Sequence, residues 1–450
     1  MLNLLNRFFV PVILALWLLQ TSHVHALGLL EAYETALEND PTFRSAIHEN
    51  EAGQQEKAIG LSGLLPTLSM THAQSQNTGT RELTGASGST GAQPLNFDSQ
   101  VSTLSLRQPL LNMEAVANYR QGVSKADSSS AKFAGHSQHL MLRLVEAYVE
   151  TLLAQNRLTL VEAQRDTLEE RKLVNEHMLQ QGEGTTTDVL ETQSKYALAL
   201  AEVIEASDEL EVSRRKLAAI VGGDIGNLDR LSDEYQVHHA IQLPAYDIWQ
   251  ELALERNAEL VTQRYTVISG KEEIKKRHSG HAPRVDLVAS LSRNKAGSFI
   301  TANQDVNLAS VGVEVNIPIY AGGRVNATTS QARSNLARTE ADLDAMIDKV
   351  LVELRKQYQL VASSVRRIES LELAVESAQL LVQATQKSIL GGVRINLDLL
   401  DAQQQLFSVQ GHLAQARYNY LLAYLRLKMT AGTLDLDDLQ MISAYFIPDN

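Results

Sequence analysis

The chain of 450 residues contains no cysteine, which excludes disulfides, thiolate metal sites and a lipid-anchored N-terminal cysteine. Aromatic residues make up only 5% of it, so little is available for a large conventional core. Basic residues are in the minority, 40 against 53 acidic ones. The resulting net charge of −13 argues against a nucleic-acid partner. Proline is scarce and unevenly placed: there are nine, with none between 110 and 243 and none between 319 and 447. Proline removes a backbone donor and fixes φ, so gaps of that length favour long unbroken helices.

Chemistry is also lacking. There is no nucleophile elbow, phosphate-binding loop or dinucleotide fingerprint, and Gly182-Glu183-Gly184 reads as an interhelical turn. His136 and His139, His278 and His281, and the adjacent His238-His239 have neither a neighbouring carboxylate in a zinc-protease pattern nor an evident third ligand. They read as surface histidines. No enzyme activity, cofactor or metal is expected.

Long apolar runs are absent except at the start. Residues 1–26 combine Arg7, an apolar stretch over 8–19 and the small-residue site Val24-His25-Ala26, the pattern of a cleaved secretory signal. The apolar stretch is too short for a helix to span a bilayer. The mature chain is expected to begin at Leu27 and to leave the cytoplasm.

What remains is patterned. From 324 to 390 there is neither Pro nor Gly, and a helix of that length spans ~100 Å. Apolar or small residues recur in steps of three and four through Ile347, Leu351, Leu354, Tyr358, Val361, Val365 and Ile368 to Ile389, which is a coiled-coil seam. The halves also match. Ala36-Leu37-Glu38 recurs as Ala253-Leu254-Glu255, Leu65-Pro66 is echoed by Ala282-Pro283, and Gln108-Pro109 by Ile317-Pro318. Gly182 through Leu190 matches Gly392 through Leu400. Each half reads helix, strand, loop, strand, long helix, helix, which is an internal repeat rather than two independent domains.

The first repeat is placed at 27–222, with strands near 67–75 and 101–107 and helices near 112–181 and 188–221. The second is at 247–432, with strands near 285–293 and 309–317 and helices near 324–390 and 397–430. Segments 223–246 and 433–450 read as irregular, and 76–98 and 294–305 as hydrophilic loops. Alternation is clean over 309–317 and weak in the first two strands. It suits a water-filled membrane barrel and equally one face of a soluble sandwich. Four strands cannot close a barrel, and an open edge is not viable in lipid, so strands in a membrane require several chains.

Taken in order, these features resemble the TolC-type outer-membrane channel family. The strand-to-helix turn Pro318-Ile319-Tyr320-Ala321-Gly322-Gly323, the stretch Gly391-Gly392-Val393-Arg394-Ile395-Asn396-Leu397-Asp398-Leu399-Leu400-Asp401-Ala402 and Ala416-Arg417-Tyr418-Asn419-Tyr420-Leu421 carry the likeness. Leu64-Leu65-Pro66-Thr67-Leu68-Ser69 and Glu38-Asn39-Asp40-Pro41 look closest to members serving type I protein secretion. The resemblance implies an α plus transmembrane β fold. In it, a homotrimer forms a 12-strand barrel in outer-membrane lipid, continuous with a 12-helix periplasmic tunnel. The tunnel would dock on an inner-membrane transporter and a periplasmic adaptor protein of a Gram-negative cell. The implied function is a passive exit duct for protein. Small-molecule efflux is an alternative, and a soluble periplasmic coiled-coil scaffold is the rival from another class.

The resemblance also names a site. Asp398 and Asp401 would ring the periplasmic entrance, although acids in a first helical turn are also stabilised by the helix dipole. Asp188 would be a latch acid bonded to Arg394, although it also reads as a helix N-cap with Glu191 three residues on. The family's latch tyrosine position holds Ile389, which predicts a more loosely held closed state.

Overall fold

The computed structural model describes residues 27–84, 90–223, 225–232, 243–296, 304–391, 393 and 396–448. The signal segment 1–26, both hairpin tips, residues 224 and 233–242 and Arg394 lie outside the described residues. In chain order the long elements are α1 (Leu29–Asn39), α2 (Pro41–Ser62), β1 (Thr67–Thr84), β2 (Thr90–Leu111), α3 (Met113–Gln181) and α4 (Thr186–Val221). They are followed by the short β3 (Arg230–Leu231), then α5 (Tyr246–Arg256), α6 (Ala258–His278), β4 (Arg284–Ala296) and β5 (Gln304–Asn316). The chain ends with α7 (Arg324–Leu390), α8 (Asn396–Thr430), α9 (Leu436–Ser443) and β6 (Phe446–Ile447). Corresponding helices have nearly the same length: 69 residues in α3 and 67 in α7, 36 in α4 and 35 in α8. No described helix is long and apolar enough to cross a membrane.

The chain divides into two compact units. One contains Ile47–Phe133 and Ala258–Asp348, including the four long strands. They form an antiparallel sheet in the order β1-β2-β4-β5, leaving β1 and β5 as edges. The strands overrun the sequence expectation. The stretch 76–98, expected as a loop, is mostly strand, with Gln76 opposite Asp98 and Thr84 opposite Thr90. Its Ser, Thr, Asn and Gln residues have no apolar alternation to betray a strand, and its pairing is supplied by the backbone ladder. Pro109, expected at a helix–strand junction, lies inside β2 where the register shifts, a place where the missing amide costs little.

The two faces of this sheet differ. Ser69 bonds Ser105 at 2.7 Å, Ser75 bonds Ser99 at 2.7 Å and Ser290 bonds Ser310 at 2.8 Å. On the same face Arg107 contacts Asp286 at 2.6 Å and Glu314 at 2.9 Å, and Arg284 meets Asp286 at 2.9 Å. The other face carries Leu68, Met70, Leu104, Leu291, Val311, Val313 and Val315, all exposed, with Val311 at 78%. Toward the tips the rule relaxes, and Val306 and Leu308 share the face of Ser310. In the same unit α2 and α3 approach backbone to backbone: a methyl group on Gly122 would lie 2.3 Å from the Glu56 carbonyl oxygen.

The other unit comprises the described parts of Met1–Ala46, Ala134–Asn257 and Lys349–Asn450. Its core gathers Leu29, Leu140, Leu144, Tyr148, Leu217, Leu421, Leu425, Leu439 and Ile442. Tyr148 is fully buried. Its hydroxyl donates to the Leu27 and Asp229 carbonyls, and its ring meets Phe446 edge-on. The segment 433–450, expected as irregular, forms α9 and β6, and β6 pairs with β3. A capping box between Asp435 and Asp438 starts α9, and Leu439 and Ile442 supply its buried stripe.

Asp40 ends α1 and starts α2 beside Pro41. Its carboxylate accepts from the Phe43 amide at 2.7 Å and the Thr42 hydroxyl at 2.5 Å, and pairs with Arg143. Burial alone would raise the Asp40 carboxyl, but these hydrogen bonds and the Arg143 charge outweigh it and hold it below the ordinary carboxylate range. A depressed carboxylate contributes stability that is present above the unfolded pKa and is lost as pH falls through the folded one. Acidification below about pH 4 is therefore expected to lower the melting temperature of the wild type. Asp40→Asn should be less stable at pH 7 and show a smaller acid-dependent loss. Calorimetric scans of both proteins at pH 7 and pH 3 check this.

Candidate gate at the paired helix turns

Two helical hairpins, α3–α4 and α7–α8, bring the residues singled out in the sequence to two short turns. The first turn closes on Gly182 in the left-handed region at φ +80°, where the Glu183 and Gly184 amides both donate to the Met178 carbonyl. A side chain at Gly182 would be strained there. Thr185, not Asp188, is the N-cap of α4. Asp188 is its N3 partner, its carboxylate accepting from the Thr185 amide at 3.3 Å and the Thr185 hydroxyl at 2.7 Å. The capping box thus sits one frame upstream of the Asp188–Glu191 pair read from the sequence. Thr185 supplies the better cap, because its hydroxyl can both donate to Asp188 and accept from the Asp188 amide.

Behind the turn the hairpin is tied by buried polar groups. Asn175 on α3 donates to the Thr192 hydroxyl at 2.8 Å, and Thr192 donates to the Asp188 carbonyl at 2.8 Å. Both side chains are buried, so losing either one removes a hydrogen bond between the two helices in a dry site.

Asp398 occupies the third residue of α8, as Asp188 does in α4, and Asp401 lies one turn further on. Asp401 is 64% exposed and makes a salt bridge to Lys195 on α4, Oδ1 to Nζ 3.1 Å. Lys195 also reaches Glu191 on its own helix at 3.4 Å. Applying the spacing that relates Asp188 to Asp398, Glu191 corresponds to Asp401, and one lysine therefore bridges two equivalent acids. Its own counterpart in α8 is Gln405, which carries no charge. Sequence reasoning missed Lys195; the place where the halves differ in charge was the available signal. The lysine stem lines a small void with Leu168, Ala199, Leu400 and Phe407, where α3, α4 and α8 meet.

The structure thus ties Asp188 to its helix cap and Asp401 to Lys195, and Asp188's expected partner Arg394 lies outside the described residues. Among the described residues, no three His, Asp or Glu side chains gather as a metal set, and His238-His239 lie outside them. Chemically, the site can hold or release a contact between two helices and offer carboxylates to a cation.

The Outer membrane efflux protein model matches residues 32–223 and 249–433. The alkaline protease secretion protein AprF of Pseudomonas aeruginosa is 40% identical, with 96% of this chain and 90% of that protein covered. The proteases secretion protein PrtF of Dickeya chrysanthemi is 37% identical, over 94% and 91% respectively. Among solved structures, the outer membrane protein VceC of Vibrio cholerae superposes with a TM-score of 0.74 at 18% identity, over 90% of this chain and 96% of that one. The chain therefore belongs to the outer membrane efflux protein family, the TolC-type outer-membrane channels.

Proposed function

We propose that the chain is the outer-membrane exit duct of a type I protein secretion system, working as a homotrimer with an inner-membrane transporter and a periplasmic adaptor. The observation that carries this reading is the sheet. It exposes an apolar face, keeps a polar and charged face, and leaves both edge strands unpaired. Such a sheet is costly in water and not viable in lipid until its edges are closed. Three copies would supply twelve strands, with the serine rows and the Arg107 cluster facing a wet lumen and the leucines and valines facing lipid. The parallel element order of the two halves supports a duplicated origin. Protein cargo is favoured by the names of the two curated relatives above, AprF and PrtF.

Secretion tests the reading. A cell lacking the chain but retaining transporter and adaptor should accumulate its type I substrate internally and recover export on complementation. If export persists without the chain while susceptibility to small toxic compounds rises, the duct serves efflux instead.

The entrance is assigned to the two helix turns. Asp398 and Asp401 from three subunits would place six acids about one axis, and Asp188 with Arg394 would latch the turns. With Ile389 unable to contribute a hydroxyl, the Lys195–Asp401 pair is a charged contact that joins α4 to α8 beside the packing of Ala199 on Leu400. A single exposed pair contributes roughly 0–1 kcal/mol, but three broken together act on one opening. Lys195→Met is expected to raise the open fraction in planar-bilayer recordings by about threefold or more. Exchanging the charges, Lys195→Asp with Asp401→Lys, should return it toward wild type.

A further inference from the structure

The core around Tyr148 holds an acid that nothing described so far explains. Asp229 follows Leu228, and Leu228 forms a bridge with Leu27. The Leu27 amide donates to the Asn227 carbonyl at 2.7 Å, and the Tyr148 hydroxyl donates to both the Leu27 carbonyl at 2.8 Å and the Asp229 carbonyl at 3.2 Å. Leu27 is thereby held through both its nitrogen and its carbonyl oxygen. The Asp229 carboxylate lies against the next residue, since a methyl group on Gly28 would lie 3.2 Å from Asp229 Oδ2. Its Oδ1 is buried and has no hydrogen-bond partner. Burial, and then the charge of another acid, Glu31 in the first turn of α1, push the Asp229 carboxyl up. A buried carboxylate oxygen without a donor is costly to leave so.

We infer that Asp229 is the receptor for the chain's own processed N-terminus: cleavage after Ala26 creates a Leu27 ammonium that pairs with the Asp229 carboxylate. The small-residue site Val24-His25-Ala26 ends one residue before the nitrogen that the structure holds in place. Hydrolysis breaks the Ala26–Leu27 amide bond. Water's oxygen joins Ala26 as its new carboxylate, and the Leu27 nitrogen takes up protons to become an ammonium at neutral pH. An amide nitrogen has one hydrogen, already given to Asn227. The ammonium has three, so it keeps that bond and gains two donors and a positive charge for Asp229 and the exposed Glu31. Processing and completion of this core are then one event, and the uncleaved chain leaves Asp229 uncompensated. The inference rests on the export reading of residues 1–26, with the cut expected before Leu27, and adds what that cut does.

The test uses full-length protein extracted from membranes. Its intact mass should correspond to a chain beginning at Leu27. Pairing with a carboxylate favours the ammonium over the reactive amine. Acylation of the Leu27 α-amine at pH 7, located by peptide mapping, should therefore be about tenfold slower in wild type than in Asp229→Asn, the effect of a shift of about one pH unit. Glu31→Gln, an exposed change that any folded chain tolerates, should accelerate it less and in the same direction. Inserting Gly-Ser-Gly between Ala26 and Leu27 should lower thermal stability as Asp229→Asn does, with no further loss on combining the two. A mature chain beginning elsewhere overturns the inference and leaves export standing, whereas an unprocessed chain sinks both. Equal acylation rates in wild type and both variants, or additive stability losses, also overturn it.

Discussion

Oxidised membranes containing Thr71→Cys/Asn316→Cys, or the adjacent His72→Cys/Val315→Cys, should yield chains linked in threes on a non-reducing gel, where wild type yields only monomer. The chain has no cysteine of its own, so any link must come from the introduced pair. The register follows from the duplication. Inside one chain the halves meet where β2 pairs with β4, with Arg107 opposite Val288 and Ser105 opposite Ser290. In a closed ring the equivalent contact joins β5 to β1 of the next copy. The spacing of the matched Gln108-Pro109 and Ile317-Pro318 carries Arg107 to Asn316. That of Pro283 and Pro66 carries Val288 to Thr71. The faces agree: Thr71 lies on the same face as Ser69, and Asn316 on the same face as Ser310. Neighbouring pairs alternate between hydrogen-bonded and open geometry, so one of the two adjacent cysteine pairs falls at the shorter Cα separation. Thr71→Cys/Val315→Cys places the thiols on opposite faces and should not link. Linking only in that slipped pair would refute the register, and a protein that stays monomeric in detergent would refute the ring.

Gly432→Ala should be among the most destabilising single changes in the chain, by roughly 2–4 kcal/mol. Gly432 ends α8 in the left-handed region at φ +71°, and a methyl group there would lie 2.2 Å from the Arg256 carbonyl oxygen and 2.8 Å from the Asn257 nitrogen. The backbone preference and the clash add, because neither neighbour is the end of a flexible side chain. Asn257 is buried and donates to the Thr430 carbonyl at 2.9 Å, so displacing it also opens a hydrogen bond. Gly222 ends α4 in the same way at φ +86°, against Asn39, which donates to the Val221 carbonyl at 3.1 Å. The atom nearest a methyl group there is Asn39 Cβ, which rotation of the side chain does not move. Gly222→Ala should therefore also be clearly destabilising, which thermal melts of the two variants check. Equal melting temperatures for Gly432→Ala and wild type would remove the close-approach argument.

How much of this was legible in the sequence depends on which force writes the pattern. In α7 the seam positions Leu354, Val361, Ile368, Ala378 and Thr385 are buried, spaced as a helix burying one stripe requires. That stripe is visible because burial selects apolar or small residues at a fixed period. A second set, Val352, Leu373 and Leu380, is exposed in the single chain, and no periodic reading singled it out. The outer half of the first hairpin was not legible. Asn77 to Thr84 show no apolar alternation, and backbone pairing leaves no mark on side-chain choice. Helix α9 was missed for a different reason. At eight residues it is too short for a convincing period, and only the Asp435-x-x-Asp438 cap announces it. At the turns, Asp188 could be recognised as a capping acid, but the Thr185 frame and the reach of Lys195 to Asp401 are matters of geometry that no spacing rule supplies.

The β1–β2 hairpin outruns its neighbours. Strand β4 accompanies β2 only as far as Ser99, opposite Ala296, while β1 and β2 continue together to Thr84 and Thr90. Beyond that point, among the described residues, the two strands pair only with each other, over nearly 30 Å at about 3.3 Å per residue. In a trimer anchored as proposed, three such ribbons would project from the cell as its first point of contact for antibodies, bacteriophage and proteases. That arrangement would give the duct an outward-facing recognition surface whose sequence is free to vary without touching the conduit beneath it.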